Sequence, residues 1–162
     1  EYYQALLQAN KSPAQSSEQA SGAGPPPDLV ELMRRWPTPE VPMLPTDGER
    51  HLSEILSSLE RTSSREAIMA GRHWIEANAS AAKAIAGNMM KRVVFLGSCA
   101  HRIHVLFLLH DIFINEVAKQ DPARPLISAF KPCLVWMVRP SFQMAQSVSA
   151  NGEESNKIEK LL

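Results

Sequence analysis

The sequence is poor in the features that mark secreted, membrane-spanning or strongly charged proteins. Its only cysteines, Cys99 and Cys133, lie in apolar helical patterns, so a reduced, buried pair is favoured over a disulfide and fits an intracellular compartment. No apolar run has the length of a membrane span, and no charged-then-apolar stretch has the form of a secretory leader. Lysine plus arginine and aspartate plus glutamate each number 17, which gives no reason to expect sequence-independent binding to nucleic acid.

Motifs for catalysis and for metal binding are also missing. There is no glycine-rich phosphate loop, no paired-carboxylate motif and no nucleophile motif, so the sequence predicts a protein that is not an enzyme and uses no cofactor. Cys99 stands at the start of a helical segment, but its apolar neighbours favour a packed thiol over a reactive one. His101 and His104 have a spacing that could clamp zinc, yet no second cysteine–histidine cluster completes a tetrahedral site, so no metal is predicted.

The sequence contains instead a succession of helical patterns, without an alternating run that would predict a strand. Ser63 to Glu66 form a capping box that starts one of these helices. The predicted helices cover residues 49–60, 63–78, 80–95, 99–117, a stretch 123–146 that is broken near Pro132 or Pro140, and a last helix from Glu153 that still continues at Leu162. The predicted fold class is therefore all-α, with short loops between consecutive helices.

Three segments precede the helical domain, which we place at residues 48–162. Residues 1–9, EYYQALLQA, resemble the closing helix of a SURP module, which is an RNA-processing domain. Residues 10–27 are rich in serine, alanine, glycine, glutamine and proline, a composition typical of a flexible linker. Residues 28–47 form a proline-rich strap, whose short helix begins near Asp28 and ends at Pro37.

The strap carries more large apolar side chains than a linker needs. A series of this kind in a proline-rich segment usually docks on a surface. The residues concerned are Leu32, Met33, Trp36, Met43 and Leu44. Two interpretations remain open: the strap packs across its own domain, or it is a short linear motif that another protein binds.

Residues 101–117, HRIHVLFLLHDIFINEV, are apolar on nearly every face and predict a buried central helix. His104, Leu108, Asp111 and Asn115 share one stripe of this helix at spacings of three and four residues. A peptide groove needs such a mixture of an apolar wall, a hydroxyl acceptor and an amide. The alternative is that Asp111 bridges neighbouring helices inside the core, because a buried acid must be paired.

Three stretches resemble the RNA polymerase II C-terminal-repeat-interacting domain, or CID: EAIMAGRHWIEANA, RIHVLFLLHDIFIN and the KIEKLL end. The resemblance covers about residues 50–162 and is strongest to the splicing-associated family of the calcium homeostasis endoplasmic reticulum protein. It implies a right-handed helical superhelix, related in shape to ENTH and VHS domains. A turn of the phosphorylated polymerase tail would bind between the domain's second, fourth and seventh helices.

The resemblance also assigns roles to residues. Asp111 matches the acid that accepts a hydrogen bond from the tyrosine of the bound repeat, with Asn115 orienting the peptide and Leu108 lining a pocket. Lys160, and with it Lys157, would contact the phosphate. The sequence departs from the family at His110, where the family usually has asparagine, and at Lys160, where it often has arginine. An ammonium is a point charge without the planar fork of arginine.

These observations predict a non-enzymatic nuclear adaptor that binds phosphorylated polymerase II repeats and couples transcription to pre-mRNA splicing. RNA would be contacted only indirectly or through the upstream module. The rival is a protein scaffold associated with the U2 small nuclear ribonucleoprotein, in which tail binding is lost and the strap is the main contact. A trafficking module of the same superhelical shape is a third possibility, but it would need a basic, membrane-binding surface that the sequence lacks.

Overall fold

The computed structural model describes residues 27–148 and 151–161, and within these ranges the secondary structure is helical, without strands. The predicted all-α class is therefore confirmed. The interpretations of residues 1–26 lie outside the described residues. The α-helices are α1 Pro27–Arg35, α2 Thr46–Ser58, α3 Arg65–Ala77, α4 Ala82–Phe95, α5 Cys99–Ala118, α6 Pro125–Phe130, α7 Leu134–Val148 and α8 Glu153–Glu159, with single 3-10 turns at Ala79–Ala81 and Lys131–Cys133.

Helix α5 is the centre of the domain, as its uniformly apolar sequence predicts. It packs against α3, α6, α7 and α8, while α4 packs against α6 and α7 on the other side of the core. Along α5 the side chains of Val105, Leu108 and Ile112 are completely buried. None of the described helices is long and apolar enough to cross a membrane.

Several helix ends differ from the sequence prediction by one or a few residues. Helix α3 is capped by Ser64, whose hydroxyl accepts from the backbone N–H of Ala67, and not by Ser63. The break in the fifth helical stretch falls at Pro132, within a 3-10 turn, whereas Pro140 is accommodated inside α7. The last helix ends at Glu159, whereas the sequence predicted that it still continues at Leu162.

The first polar residues of α5 hold the C-terminal ends of two other helices. His101 Nε2 donates to the Leu56 carbonyl at 2.7 Å, and His104 Nδ1 donates to the Leu59 carbonyl at 2.7 Å. Arg102 donates to the carbonyls of Leu96 and Val94, which end α4. The last carbonyls of a helix lack partners within the helix, so these side chains satisfy them.

A carboxylate near the other end of α5 caps α6. Helix α6 starts after Arg124, which has a positive φ of 40° and makes no side-chain cap bond. Glu116, only 3% exposed, accepts instead from the backbone N–H groups of Leu126 and Ile127. A buried carboxylate is costly unless it is hydrogen-bonded, and the two amides at the positive end of α6 meet that requirement.

The strap packs across its own domain. Leu32 of α1 is 0% exposed and Leu44 is 4% exposed, while α1 rests on α7. The Trp36 ring lies 5.4 Å from the guanidinium carbon of Arg139, and Arg139 also forms an ion pair with Glu31. These contacts favour the first of the two interpretations of the strap.

The side chain of Val41 packs against α4 at Gly87, a residue that has no side chain. A Cβ added at Gly87 would clash with the side chain of Val41. We expect Gly87→Ala to lower the free energy of unfolding by about 1–3 kcal/mol, the usual cost of overpacking, although alanine is otherwise the better helix former by roughly 0.5–1 kcal/mol. Urea denaturation measures this change.

The matched control is Gly97→Ala, because nothing lies within 4 Å of a Cβ added there. Its free energy of unfolding should stay within about 0.5 kcal/mol of the wild type. Val41→Ala should restore much of the stability lost in Gly87→Ala. Equal stability of the two alanine variants would contradict the packing of the strap on α4.

Candidate functional site

A surface groove of about 480 Å³ runs between α3 and α5. Gly71 has no side chain, so α3 can approach its neighbours closely at this position. A Cβ here would lie 2.9 Å from Ile55 Cγ2 and 3.3 Å from the Leu108 methyl carbons. The groove combines an apolar wall with charged and amide groups. It is lined by Ser63, Arg65, Ile68, Met69, Arg72, Phe107, His110, Asp111 and Asn115.

A row of ion pairs, which we call the charge ladder, joins the two helices beside the groove. Its members are Asp111, Arg72, Glu76 and Lys119. Arg72 Nε donates to Asp111 Oδ2 at 2.7 Å, and Arg72 Nη1 donates to Glu76 Oε2 at 3.1 Å. Lys119 Nζ donates to Glu76 Oε1 at 2.8 Å. Two cations and two anions alternate in the ladder, so it is neutral as a whole.

The two oxygens of the Asp111 carboxylate have different surroundings. Oδ2 accepts the short bond from Arg72, whereas Oδ1 meets, among the described residues, only Asn115 Nδ2, at 3.4 Å. That amide makes its shorter bond, 2.8 Å, to the Asp111 backbone carbonyl. Because the Asp111 side chain is 33% exposed, Oδ1 retains capacity to accept a hydrogen bond from a donor in the groove.

Asp111 combines two positions that the sequence analysis treated as alternatives. It bridges two helices through Arg72, and its carboxylate also lines the groove. The role as a bridge gives the carboxylate a fixed position, since Arg72 is itself held by Glu76. A fixed acceptor loses less conformational freedom when it binds a ligand.

The other predicted peptide-binding residues are more dispersed. Asn115 lies in the groove beside Asp111, but His104 is bonded to the end of α2 and Leu108 is 0% exposed beneath Gly71. The stripe of α5 that carries these residues is thus covered by α2 and α3 at its N-terminal end. It lines the groove only at its C-terminal end, at Asp111 and Asn115. The exposed apolar surface comes instead from Ile68, Met69 and Phe107.

Lys160 also lies outside the set of residues that line the groove. It is an exposed residue at the C-terminal end of α8. Lys157 is occupied by ion pairs, at 2.8 Å to Glu154 and 3.6 Å to Glu153. Arg65, which sequence reasoning did not single out, is exposed and lines the groove, without an ion pair among the described residues.

The strap residues predicted to dock on a partner divide into two groups. Leu32 and Leu44 are buried and Trp36 is half-buried, so the domain itself occupies them. Met33 and Met43 are 37% and 93% exposed. Met43 lies at a second cleft, of about 710 Å³, between the strap, the start of α4 and α6.

Metal and thiol chemistry find no support in the described part of the chain. Histidine, cysteine and acidic side chains do not come together there in a group of three or more that could hold a metal ion. Cys99 and Cys133 are free thiols. Burial raises the pKa of the Cys133 thiol to about 11 and also raises the pKa of Cys99, so neither has the lowered pKa of a reactive cysteine.

The groove between α3 and α5 combines an apolar wall with charged and amide groups, an arrangement that suits an interaction domain. The family model named CID domain matches residues 50–162. The chain therefore belongs to the CID domain family. CID domains bind the C-terminal repeats of RNA polymerase II and occur in nuclear transcription and RNA-processing factors. Searches of curated proteins and of solved structures gave no match.

The charge ladder makes stability depend on pH. Burial acts to raise the pKa of Glu76, but hydrogen bonding and charge from Lys119 and Arg72 outweigh it and lower the pKa below its ordinary value of 4.5. A carboxyl with a lowered folded-state pKa stabilises the fold above its unfolded-state pKa, and this contribution is lost as the pH falls through the folded-state value.

We therefore expect the difference in free energy of unfolding between the wild type and Glu76→Gln to shrink as the pH is lowered from 6 towards 3. Urea denaturation at several pH values measures it. The control is Glu60→Gln, which changes an exposed carboxylate. If both variants differ from the wild type by an amount that does not change with pH, the ladder does not stabilise the charged form of Glu76.

Proposed function

We propose that the groove between α3 and α5 binds the phosphorylated C-terminal repeat of RNA polymerase II, so that the protein acts as a non-enzymatic nuclear adaptor coupling transcription to pre-mRNA splicing. The observation that carries this proposal is the Asp111 carboxylate, which Arg72 fixes through Oδ2 and which lines the groove with 33% of its side chain exposed. Membership of the CID domain family supplies the class of ligand.

The groove suits the aromatic residue of a repeat peptide. Ile68, Met69 and Phe107 provide apolar surface for a tyrosine ring, and Asp111 Oδ1 can accept from its hydroxyl. A hydrogen bond to a charged acceptor contributes roughly 1.5–3 kcal/mol. Asn115 keeps the Asp111 backbone carbonyl occupied and thereby fixes this turn of the helix. We propose that Phe107 takes the wall position that the resemblance assigned to Leu108, because Phe107 lines the groove and Leu108 is 0% exposed.

Two cations are candidates for the phosphate contact. Arg65 lies on the groove and is free of carboxylate partners within the described residues, whereas Lys160 lies at the end of α8 and outside the groove lining. Arginine also offers bidentate donors to a phosphate, which lysine cannot. We propose that Arg65 makes the main phosphate contact and that Lys160 contributes a weaker, longer-range attraction.

Titration of a fluorescent two-repeat peptide, unmodified or phosphorylated at the second-position serine, tests the proposal. We expect Asp111→Asn to weaken binding of both peptides about tenfold or more, since the charged acceptor is lost. Arg65→Gln should weaken only the phosphorylated peptide, by several fold, and Lys160→Gln should have a smaller effect. Fluorescence anisotropy gives the dissociation constants.

Two controls accompany this titration. Asp121→Asn changes an exposed carboxylate away from the groove, and it should bind like the wild type. Arg72→Gln separates the loss of the helix bridge from the loss of the acceptor. Absence of binding by the folded wild-type protein, or equal affinities of Asp111→Asn and Asp121→Asn, would contradict the proposal.

The scaffold function remains the second candidate because Met43 is 93% exposed at its own cleft. In that case the groove no longer binds the polymerase tail, and the strap contacts protein components of the U2 small nuclear ribonucleoprotein. Failure of tail binding, together with association with purified U2 particles that Met43→Ser abolishes, would favour this function over the adaptor.

A further inference from the structure

His110 is a polar side chain in the groove that the fold does not use. It lines the groove and is half-buried, and it makes neither a hydrogen bond nor an ion pair with any described residue. Histidines 101 and 104, on the same helix, are both engaged with backbone carbonyls. An imidazole without a structural partner at a ligand groove is free to interact with the ligand.

The charged groups that share the groove with His110 have a net positive sum. From α3 they are Arg65 and Arg72, and from α5 the only one is Asp111; α6, α7 and α8 contribute none. Arg72 and Asp111 neutralise each other at 2.7 Å, so the charge of Arg65 is uncompensated. An anion is therefore favoured in the groove.

We propose that His110 takes up a proton when a phosphorylated peptide binds and that, together with Arg65, it contacts the phosphate. This inference rests on the function proposed above and adds a second phosphate contact and a proton linkage to it. The site would thereby distinguish a phosphorylated repeat from an unmodified one.

The linkage follows from the chemistry of imidazole and of phosphate. Imidazole is the side chain whose charge changes between about pH 5 and 8. A phosphate monoester brings a charge of about −1.5 to −2 and strong acceptor oxygens, and it binds a charged imidazolium more strongly than a neutral ring. Binding that takes up one proton becomes up to about tenfold tighter for each unit by which the pH falls.

The test compares the wild type with His110→Asn between pH 8.0 and 6.5, with the two peptides already named. Asparagine keeps a polar side chain but cannot titrate. Because the phosphate itself gains a proton near pH 6, the informative quantity is the difference between the two proteins with the same peptide. We expect the affinity of the wild type for the phosphorylated peptide to rise by about threefold or more relative to His110→Asn over this range.

Calorimetry in two buffers of different ionisation enthalpy measures the proton uptake directly. The wild type should take up a fraction of a proton more than His110→Asn with the phosphorylated peptide, and no more with the unmodified one. His51→Asn is the matched control, because His51 is an exposed histidine on α2 outside the groove, and it should behave like the wild type.

The outcomes separate this inference from the function on which it rests. If the phosphorylated peptide binds to the wild type but His110→Asn shows the same pH dependence and the same proton uptake, the role of His110 is overturned and the groove function stands. The role is also overturned if the unmodified peptide shows the same difference between the proteins. If the folded wild type binds neither peptide at any pH, both proposals fail.

Discussion

The fold depends on how one buried helix, α5, satisfies its own polar groups. Its apolar surface forms the core, and each polar side chain that enters the core with it joins another helix. His101 and His104 hold the end of α2, Arg102 holds the end of α4, and Glu116 holds the start of α6. Burial of a polar group is unfavourable without a partner, and helix ends lack partners of their own. Each buried polar side chain of α5 therefore gains a hydrogen-bond partner, and so does the helix end that it contacts.

The groove is a consequence of the same arrangement. The side chains of α5 bind backbone groups at the ends of α2, α4 and α6. Helix α3 is joined to α5 differently, by the ion pair between the side chains of Arg72 and Asp111. An ion pair between two side chains leaves part of the carboxylate accessible, whereas a carboxylate that caps a helix, such as Glu116, is enclosed. The acid that links α3 to α5 is consequently also the acid that a ligand can reach.

The fold class and the number of helical segments could be predicted because apolar periodicity is a local property. The site was only partly predictable. Asp111 and Asn115 stand out as polar residues in an apolar helix, but His104 does so equally, and only the position of Leu59 shows that it has a structural partner. Leu108 shares their stripe but lies beneath Gly71. Arg65, Met69 and Phe107 could be assigned to the groove only once the pairing of α3 with α5 was known. Residue spacing on a single helix does not reveal which other helix packs against it.

The strap changes what should be regarded as the folding unit. The family match begins at residue 50, yet Leu32 and Leu44 are as deeply buried as the residues that follow it. A polypeptide that began at the family boundary would expose the apolar surfaces that these two side chains and Val41 cover. Exposed apolar surface of this kind promotes association between molecules. We therefore expect the N-terminal strap to limit association between molecules as well as to complete the packing, and the packed domain is longer than the segment that the family match covers.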